Sequence, residues 1–419
     1  MNKLLVILKK VDLRNKIFYI LALLAVFRLI SNIPIPAVDA SALRGFIAQN
    51  QIFGLISTFT GGSLSTLSIG MLGLGPYITA SIVMQVLTMI FPALERMYKY
   101  DGEAGRAKFN QYSRLLTVPL AMLQGYAFLG LLSRQGIVTG LTTFDWITAV
   151  TVIVAGSVFI MWLGEIISER NIGNGASILI LAGIVAQAPT TLQQLAFTYT
   201  RADLFIYLGM ALLALVVIAG VAFISEAQRN IPVNYARRIK GSKVYGGVST
   251  YLPLRVNSTG VIPIIFALSI LLFPSMAASF LAGSNIPVVS SLALWVNNFL
   301  QNAFWYSVIY MLLVVMFTYF YTAVTFDPKS ISEGIQKQGG YIPGIRPGQP
   351  TAHFLSFLLN RINLVGALFL GGIAVLPNIV RSATGISAFA IGGTSILIVV
   401  AVALETMKQI DAQLSMYEY

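Results

Sequence analysis

Apolar runs recur along this chain at 17–33, 77–91, 115–132, 146–167, 176–188, 204–224, 260–281, 304–324, 354–376 and 386–404. Most approach the roughly 20 residues that a helix needs to cross a bilayer core; the run at 176–188 is short. A segment in lipid must satisfy its own backbone hydrogen bonds, so runs of this kind allow little besides helices. The chain therefore reads as an all-α polytopic membrane protein with ten transmembrane helices. Composition agrees: 57% of residues are hydrophobic and 10% charged, against about 25% charged in soluble domains.

Charge orients the helices. Arg28 lies inside the first span, and Arg44, Arg134, Arg201 and Arg381 fall in loops on one face; the other Lys and Arg residues fall on the opposite face. The positive-inside bias makes that basic face cytoplasmic and places both termini there, in a multi-pass protein of the cell membrane. Residues 1–16 carry Lys3, Lys9, Lys10, Arg14 and Lys16 around Leu4-Leu-Val-Ile-Leu8. Five apolar residues are too few for a signal-peptide core, and an amphipathic helix on the cytoplasmic surface fits better. Arg28 admits two readings, snorkelling to the nearby interface or an intramembrane functional charge.

Two basic-side loops, 226–257 and 327–352, far exceed the about 4–6 residues of ordinary connections. The first alternates β-branched and aromatic residues with Arg237, Arg238, Lys240 and Lys243, the pattern of a protruding hairpin. The second holds Arg346 at a tip of turn residues between Pro343 and Pro347. Each is either a solvated positive-inside loop or a docking surface.

The least regular stretch runs from 53 to 92. Its first part, Gly54 to Ser68, is rich in Ser, Thr and Gly and too polar and short to span. A joint follows, Ile69-Gly-Met-Leu-Gly-Leu-Gly-Pro76, whose glycines and proline interrupt helix. It is either an outside loop before a span or a half-inserted piece lining something hollow, where irregular backbone is tolerated at membrane depth.

No P-loop, nucleophile elbow or HExxH pattern is present. The chain has no cysteine and a single histidine, His353, so neither thiolate chemistry nor a histidine-cluster metal site is open to it. These absences point to no catalytic residues, no metal and no cofactor. No Asp or Glu lies within a span once span ends such as Glu165 and Glu405 are set aside. That counts against the alternative, a small-solute secondary transporter, which usually carries acids or polar broken helices at mid-membrane.

Five stretches resemble the SecY/Sec61-alpha family, the channel-forming subunits of protein translocons. They are the joint with its helix, Ile69 to Gln85; Trp162-Leu-Gly-Glu-Ile-Ile-Ser-Glu-Arg-Asn-Ile-Gly-Asn-Gly-Ala-Ser177; Pro253-Leu-Arg-Val-Asn-Ser-Thr-Gly-Val-Ile-Pro263; Pro343-Gly-Ile-Arg-Pro-Gly348; and Gly392-Gly-Thr-Ser-Ile-Leu-Ile398. Their order and spacing cover nearly the whole chain. The resemblance implies two inverted five-helix halves, 1–188 and 203–419, joined by a hinge at 189–202 around a central hourglass pore. It implies a pore ring of Leu74, Ile78, Ile180, Ile184, Ile265 and Ile398. It implies a plug at 54–68, including Gly54, Thr60, Gly61, Gly62, Ser63, Leu64, Ser65, Thr66 and Leu67. The second and third spans would part from the seventh and eighth as a lateral gate with Gln85 and Gln124. Arg237, Arg238, Lys240, Lys243 and Arg346 would dock cytoplasmic partners. The implied function is a protein-conducting channel that moves unfolded secretory proteins across the membrane and releases membrane proteins sideways into it. The implied partners are SecE and SecG subunits, the SecA ATPase, the ribosome, signal peptides and translocating polypeptides, and the lipid bilayer. The chain itself would hydrolyse nothing.

Overall fold

In a computed structural model the described residues are 10–35, 54, 57, 59–138, 140, 142–198, 204–235, 238–240, 243–245, 249–282, 286–384 and 388–416. The first half contains α1 (Val11–Ile30), α2 (Gly75–Ile90), α3 (Pro92–Lys99), α4 (Gly102–Arg134), α5 (Thr143–Glu169) and α6 (Gly175–Thr198). The second half contains α7 (Leu204–Glu226), strands β1 (Gln228–Tyr235), β2 (Arg238–Lys240), β3 (Lys243–Tyr245) and β4 (Ser249–Arg255), then α8 (Ile262–Leu281), α9 (Pro287–Gln301), α10 (Ala303–Thr325), α11 (Pro328–Lys337), β5 (Gly340–Tyr341), α12 (Gln349–Thr384) and α13 (Ala388–Met416).

Local chemistry sets several boundaries. Pro76 sits in the first turn of α2, where a missing N–H costs nothing. Thr142 and Asp145 form a reciprocal capping box at the head of α5, satisfying two orphan donors. Asn302 caps α10 through the backbone N–H groups of Phe304 and Trp305. Pro92 ends α2, and α3 leaves at 112° to it.

Among the described residues, seven helices are long and apolar enough to cross a membrane, or eight if the bent α2–α3 pair counts as one span. Neither α1, which carries Asp12, Arg14, Lys16 and Arg28, nor α13 is among them. The fold is thus a helical polytopic one, and the span count reached from side-chain chemistry is lower than the ten expected from the sequence. The fifth run is longer than expected: α6 continues past residue 188 through Pro189 to Thr198. The connection between the runs at 260–281 and 304–324 holds the amphipathic α9, which buries Ala293 and Leu300.

Within the first half α2 packs on α4, α4 on α5, α5 on α6, and α1 on α5 and α6. In the second, α10 packs on α8 and α12, and α13 on α7 and α12. The halves meet along two seams: α8 against α2 and α4, and α6 against α13. One large apolar cluster crosses these seams, from Leu74, Ile180 and Ile184 to Ile264, Val314, Leu397 and Ile398.

The two long basic-side loops form one unit. The expected hairpin exists as β1 paired antiparallel with β4, from Gln228↔Arg255 to Asn234↔Ser249, with β2–β3 as its outer part. From the other loop β5 adds to β1 through Asn234↔Tyr341 and Tyr235↔Gly340. Ile231, Val233, Leu254 and Ile342 then share a small core with Leu355, Leu358 and Leu359 of α12.

Candidate functional site

The site grows from the joint after residue 68. Gly73 adopts φ +53, which glycine reaches without strain. The joint lies directly on α5: a Cβ on Gly156 would stand 2.2 Å from the Ile69 carbonyl oxygen, so only glycine admits this approach. Beside it, Ser157 Oγ donates to the Gly73 carbonyl at 2.8 Å. This seat turns the chain so that Leu74 and Ile78, one helical turn apart, share a face.

Two cavities meet at that face. One, about 220 Å³, has a mixed lining that includes the polar groups Gln85, Asn110, Glu165 and Ser168 from α2, α4 and α5. The other, about 60 Å³, is apolar and bounded by Phe59 and Thr60 of the 54–68 segment together with Ile160, Leu268 and Leu272. Leu74, Ile78, Ile180 and Ile265 line both. Four of the six expected ring residues therefore line both a cavity of mixed lining and an apolar one. Ile184 and Ile398 are buried in the same apolar cluster and line neither cavity.

The 54–68 segment reaches the apolar cavity at Phe59 and Thr60. Its Ser, Thr and Gly content suggests weak packing, and the structure divides it. Leu64 and Leu67 are no more than 2% exposed, in a second cluster with Phe128, Leu129, Leu132 and Ile153. Leu67 holds φ 44, a left-handed conformation that side chains resist, and its carbonyl accepts from the Ile35 N–H at 2.8 Å. Gly54, Thr60, Gly61 and Ser63 are buried, while Gly62, Ser65 and Thr66 are half-buried. Arg28 is not left to snorkel: its guanidinium donates to the Gly61 carbonyl. Gln187 Nε2 donates to the Ser57 carbonyl at 2.9 Å. Arg28 carried a signal in the sequence, as a charge inside a span; Gln187, Gly156 and Ser157 carried none.

The two expected gate residues occupy different places. Gln85 faces the α2–α8 seam, lining the polar cavity with Phe266 and Tyr321. Its Oε1 is buried without a hydrogen-bond partner among the described residues. Gln124, on α4, lies instead against the head of α2, with Oε1 3.9 Å from where a side chain on Gly75 would begin. Glu165, at the polar cavity, is paired with Arg114.

Of the expected docking residues, Arg346 is exposed at the tip of its loop. Thr351 Oγ1 donates to its carbonyl at 2.9 Å, and Ser332 Oγ to the nearby Gly348 carbonyl. Arg238, Lys240 and Lys243 lie on β2 and β3, with their side chains outside the described set. Arg237 lies outside the described residues altogether.

Fold and site together define a class: a polytopic helical membrane protein in which aliphatic residues from both halves line two adjoining cavities. The family model described as SecY matches residues 68–407. The protein translocase subunit SecY of Streptomyces galbus is 45% identical over 426 residues, with 97% of this chain and 96% of that protein covered. The chain belongs to the SecY family. Its fold is similar to a structure described as a protein conducting channel, at TM-score 0.66 and 21% identity, covering 94% of this chain and 91% of that one. It is also similar to Sec61 in the canine ribosome–channel complex from the endoplasmic reticulum, at TM-score 0.62 and 20% identity, covering 94% and 91%.

Proposed function

We propose that this chain is the protein-conducting channel of a translocon, passing unfolded secretory proteins across the cytoplasmic membrane and releasing membrane segments sideways into it. The observation that carries the proposal is the common wall of Leu74, Ile78, Ile180 and Ile265 between the two cavities. A narrow aliphatic neck offers water and ions no hydrogen bonds, so it dewets and resists their passage. The same side chains yield around any polypeptide, because dispersion contacts have no direction. Ile184 and Ile398 complete the ring, and 54–68 is the plug beneath it. The lateral gate is the seam of α2 and α4 with α8 and α10, where Gln85 offers an unpaired oxygen to a passing segment.

In this reading both termini and the basic loops are cytoplasmic. Ten spans form two inverted halves, 1–188 and 203–419, hinged at 189–202. The unit built on β1, β4 and β5 receives the SecA motor or the ribosome, and SecE and SecG are the accompanying small subunits. The chain supplies the conduit and its partners supply the energy, so it needs no hydrolytic site. A solute transporter is not supported: the acid at the polar cavity, Glu165, is already neutralised by Arg114, and the neck is aliphatic.

Replacing Ile78, Ile184 and Ile265 together with Ser or Asn should wet the neck, raise single-channel conductance in planar bilayers, and export a reporter whose signal sequence is defective. Replacing the same three with Leu or Val should change neither readout. Equal behaviour of the polar and aliphatic sets would make the ring ordinary packing.

A further inference from the structure

We infer that Arg28 and Gln187 are positioning residues that together latch the plug, by its backbone, to the first half of the protein. The inference rests on the plug reading above and adds what holds the plug in place. Arg28, on α1, donates to the Gly61 carbonyl, and Gln187, on α6, donates to the Ser57 carbonyl at 2.9 Å. The two donors thus grip carbonyls four residues apart from two different helices. The grip has a built seat. Gly61 has φ +67, and a Cβ on it would stand 3.0 Å from the Cα of Gly183 on α6. A Cβ on Gly183 would in turn stand 2.8 Å from the Phe59 carbonyl oxygen. The Gln187 amide lies over Gly62, whose Cβ would meet Nε2 at 2.9 Å. Backbone therefore lies on backbone, and the two polar side chains close over it.

The chemistry suits a latch. A carbonyl gripped by a side chain holds the segment without requiring any particular plug side chain, so Ser, Thr and Gly can fill it. Away from water a charge-assisted bond is stronger than a neutral one, and a guanidinium at membrane depth loses heavily if its partner leaves. Release is therefore resisted from both sides of the contact. Further ties on the same side are Thr66 Oγ1 to the Ser31 carbonyl at the end of α1 and the Ile35 N–H to the Leu67 carbonyl, while Ser157 of α5 holds the Gly73 carbonyl of the joint that follows. When the halves part along α2, α4 and α8, the plug stays with the first half. Unplugging is then a separate step that must break the Arg28 and Gln187 bonds.

The test uses the full-length chain in its native membrane, with Thr60→Cys added to a sequence that has no cysteine of its own. Thr60 is 6% exposed, so an impermeant maleimide applied from the non-cytoplasmic face should label it slowly. Arg28→Met keeps the apolar stem and removes the donor. Gln187→Glu sets an acceptor against the Ser57 carbonyl. Arg28→Met should speed labelling by about tenfold or more, the scale of one charge-assisted hydrogen bond, and Gln187→Glu by about fivefold, the scale of one neutral bond. Arg28→Lys, which keeps a cationic donor, should stay near the parent rate. Labelling of Thr318→Cys, buried in α10 of the other half, should not change. Unchanged labelling at residue 60, or equal acceleration at residue 318, would overturn the latch. Deleting 54–68 separates the two readings: no rise in resting ion leak would overturn the plug on which the latch rests, whereas a rise in leak with unaltered labelling would overturn the latch alone.

Discussion

Gly156 and Ser157 sit side by side on α5 and act on the joint in different ways. Ser157 contributes one neutral hydrogen bond to the Gly73 carbonyl, and Ser157→Ala should cost about 1 kcal/mol. Gly156 contributes the absence of a side chain: even Ala would place Cβ at 2.2 Å from the Ile69 oxygen and 2.6 Å from its Cγ2. The joint would have to move off α5, and overpacking of this kind costs about 1–3 kcal/mol. The two substitutions should also separate functionally. Gly156→Ala shifts Leu74 and raises resting conductance; Ser157→Ala lowers thermal stability slightly and leaves conductance near the parent value. Thermal unfolding in detergent alongside planar-bilayer recording checks both, and a silent Gly156→Ala would show that the joint does not aim the neck.

Elements carry the second level of organisation, and the basic-side loops illustrate it. Read as separate loops, 226–257 and 327–352 have no reason to act together. Strand β5 joins β1, and the shared core of Ile231, Val233, Leu254, Ile342 and Leu355 makes them one body on the end of α12. Arg346 is carried on that body as an exposed side chain, between Gly344 at φ +81 and Gly348 at φ +92. Arg346→Glu removes no buried contact and should leave expression and thermal stability near the parent. It should nonetheless greatly weaken transport driven by a cytoplasmic partner, because a guanidinium held outward becomes a carboxylate. Lys243→Glu should weaken it less, as one of several loop cations. Full transport by Arg346→Glu at normal expression would mark the tip as merely solvated.

At the scale of the whole molecule, the proposal takes orientation from the asymmetry of charge and places the opening at a seam between the halves. Cysteines placed singly at residues 106, 240 and 346 should be shielded from an impermeant reagent outside intact cells, and cysteines at 136, 191 and 381 should react. The chain's lack of native cysteine makes the measurement clean, and outside labelling at residue 240 would reverse the assigned topology. The seams differ in character. Gln85 lies in the one between α2 and α8 with its oxygen buried and without a partner among the described residues, whereas α6 and α13 pack together and contribute Ile180, Ile184, Leu397 and Ile398 to the large apolar cluster. A buried unsatisfied polar atom is costly, which supports the proposal that the halves part at the first seam.

The helical membrane architecture, the apolar runs, the basic face and the five family stretches were legible in the sequence, because a bilayer makes each spanning segment satisfy its own backbone. That requirement acts within a run of about 20 residues and leaves a local signature. The hairpin at 226–257 was legible for a related reason, since strand alternation is also local. The residues that make the site work were decided elsewhere. Arg28 was visible as a charge in a span, yet its partner is 33 positions away; Ser157 reaches Gly73 across 84 positions, and Gln187 reaches Ser57 across 130. No pattern of hydropathy distinguishes Leu74, Ile78, Ile180 and Ile265 from the aliphatic residues around them. What distinguishes them is that helices from both halves bring them to one wall between two cavities. Membrane insertion is governed by the composition of a segment; a constriction exists only where segments remote in sequence pack together, so the tertiary structure alone decides it.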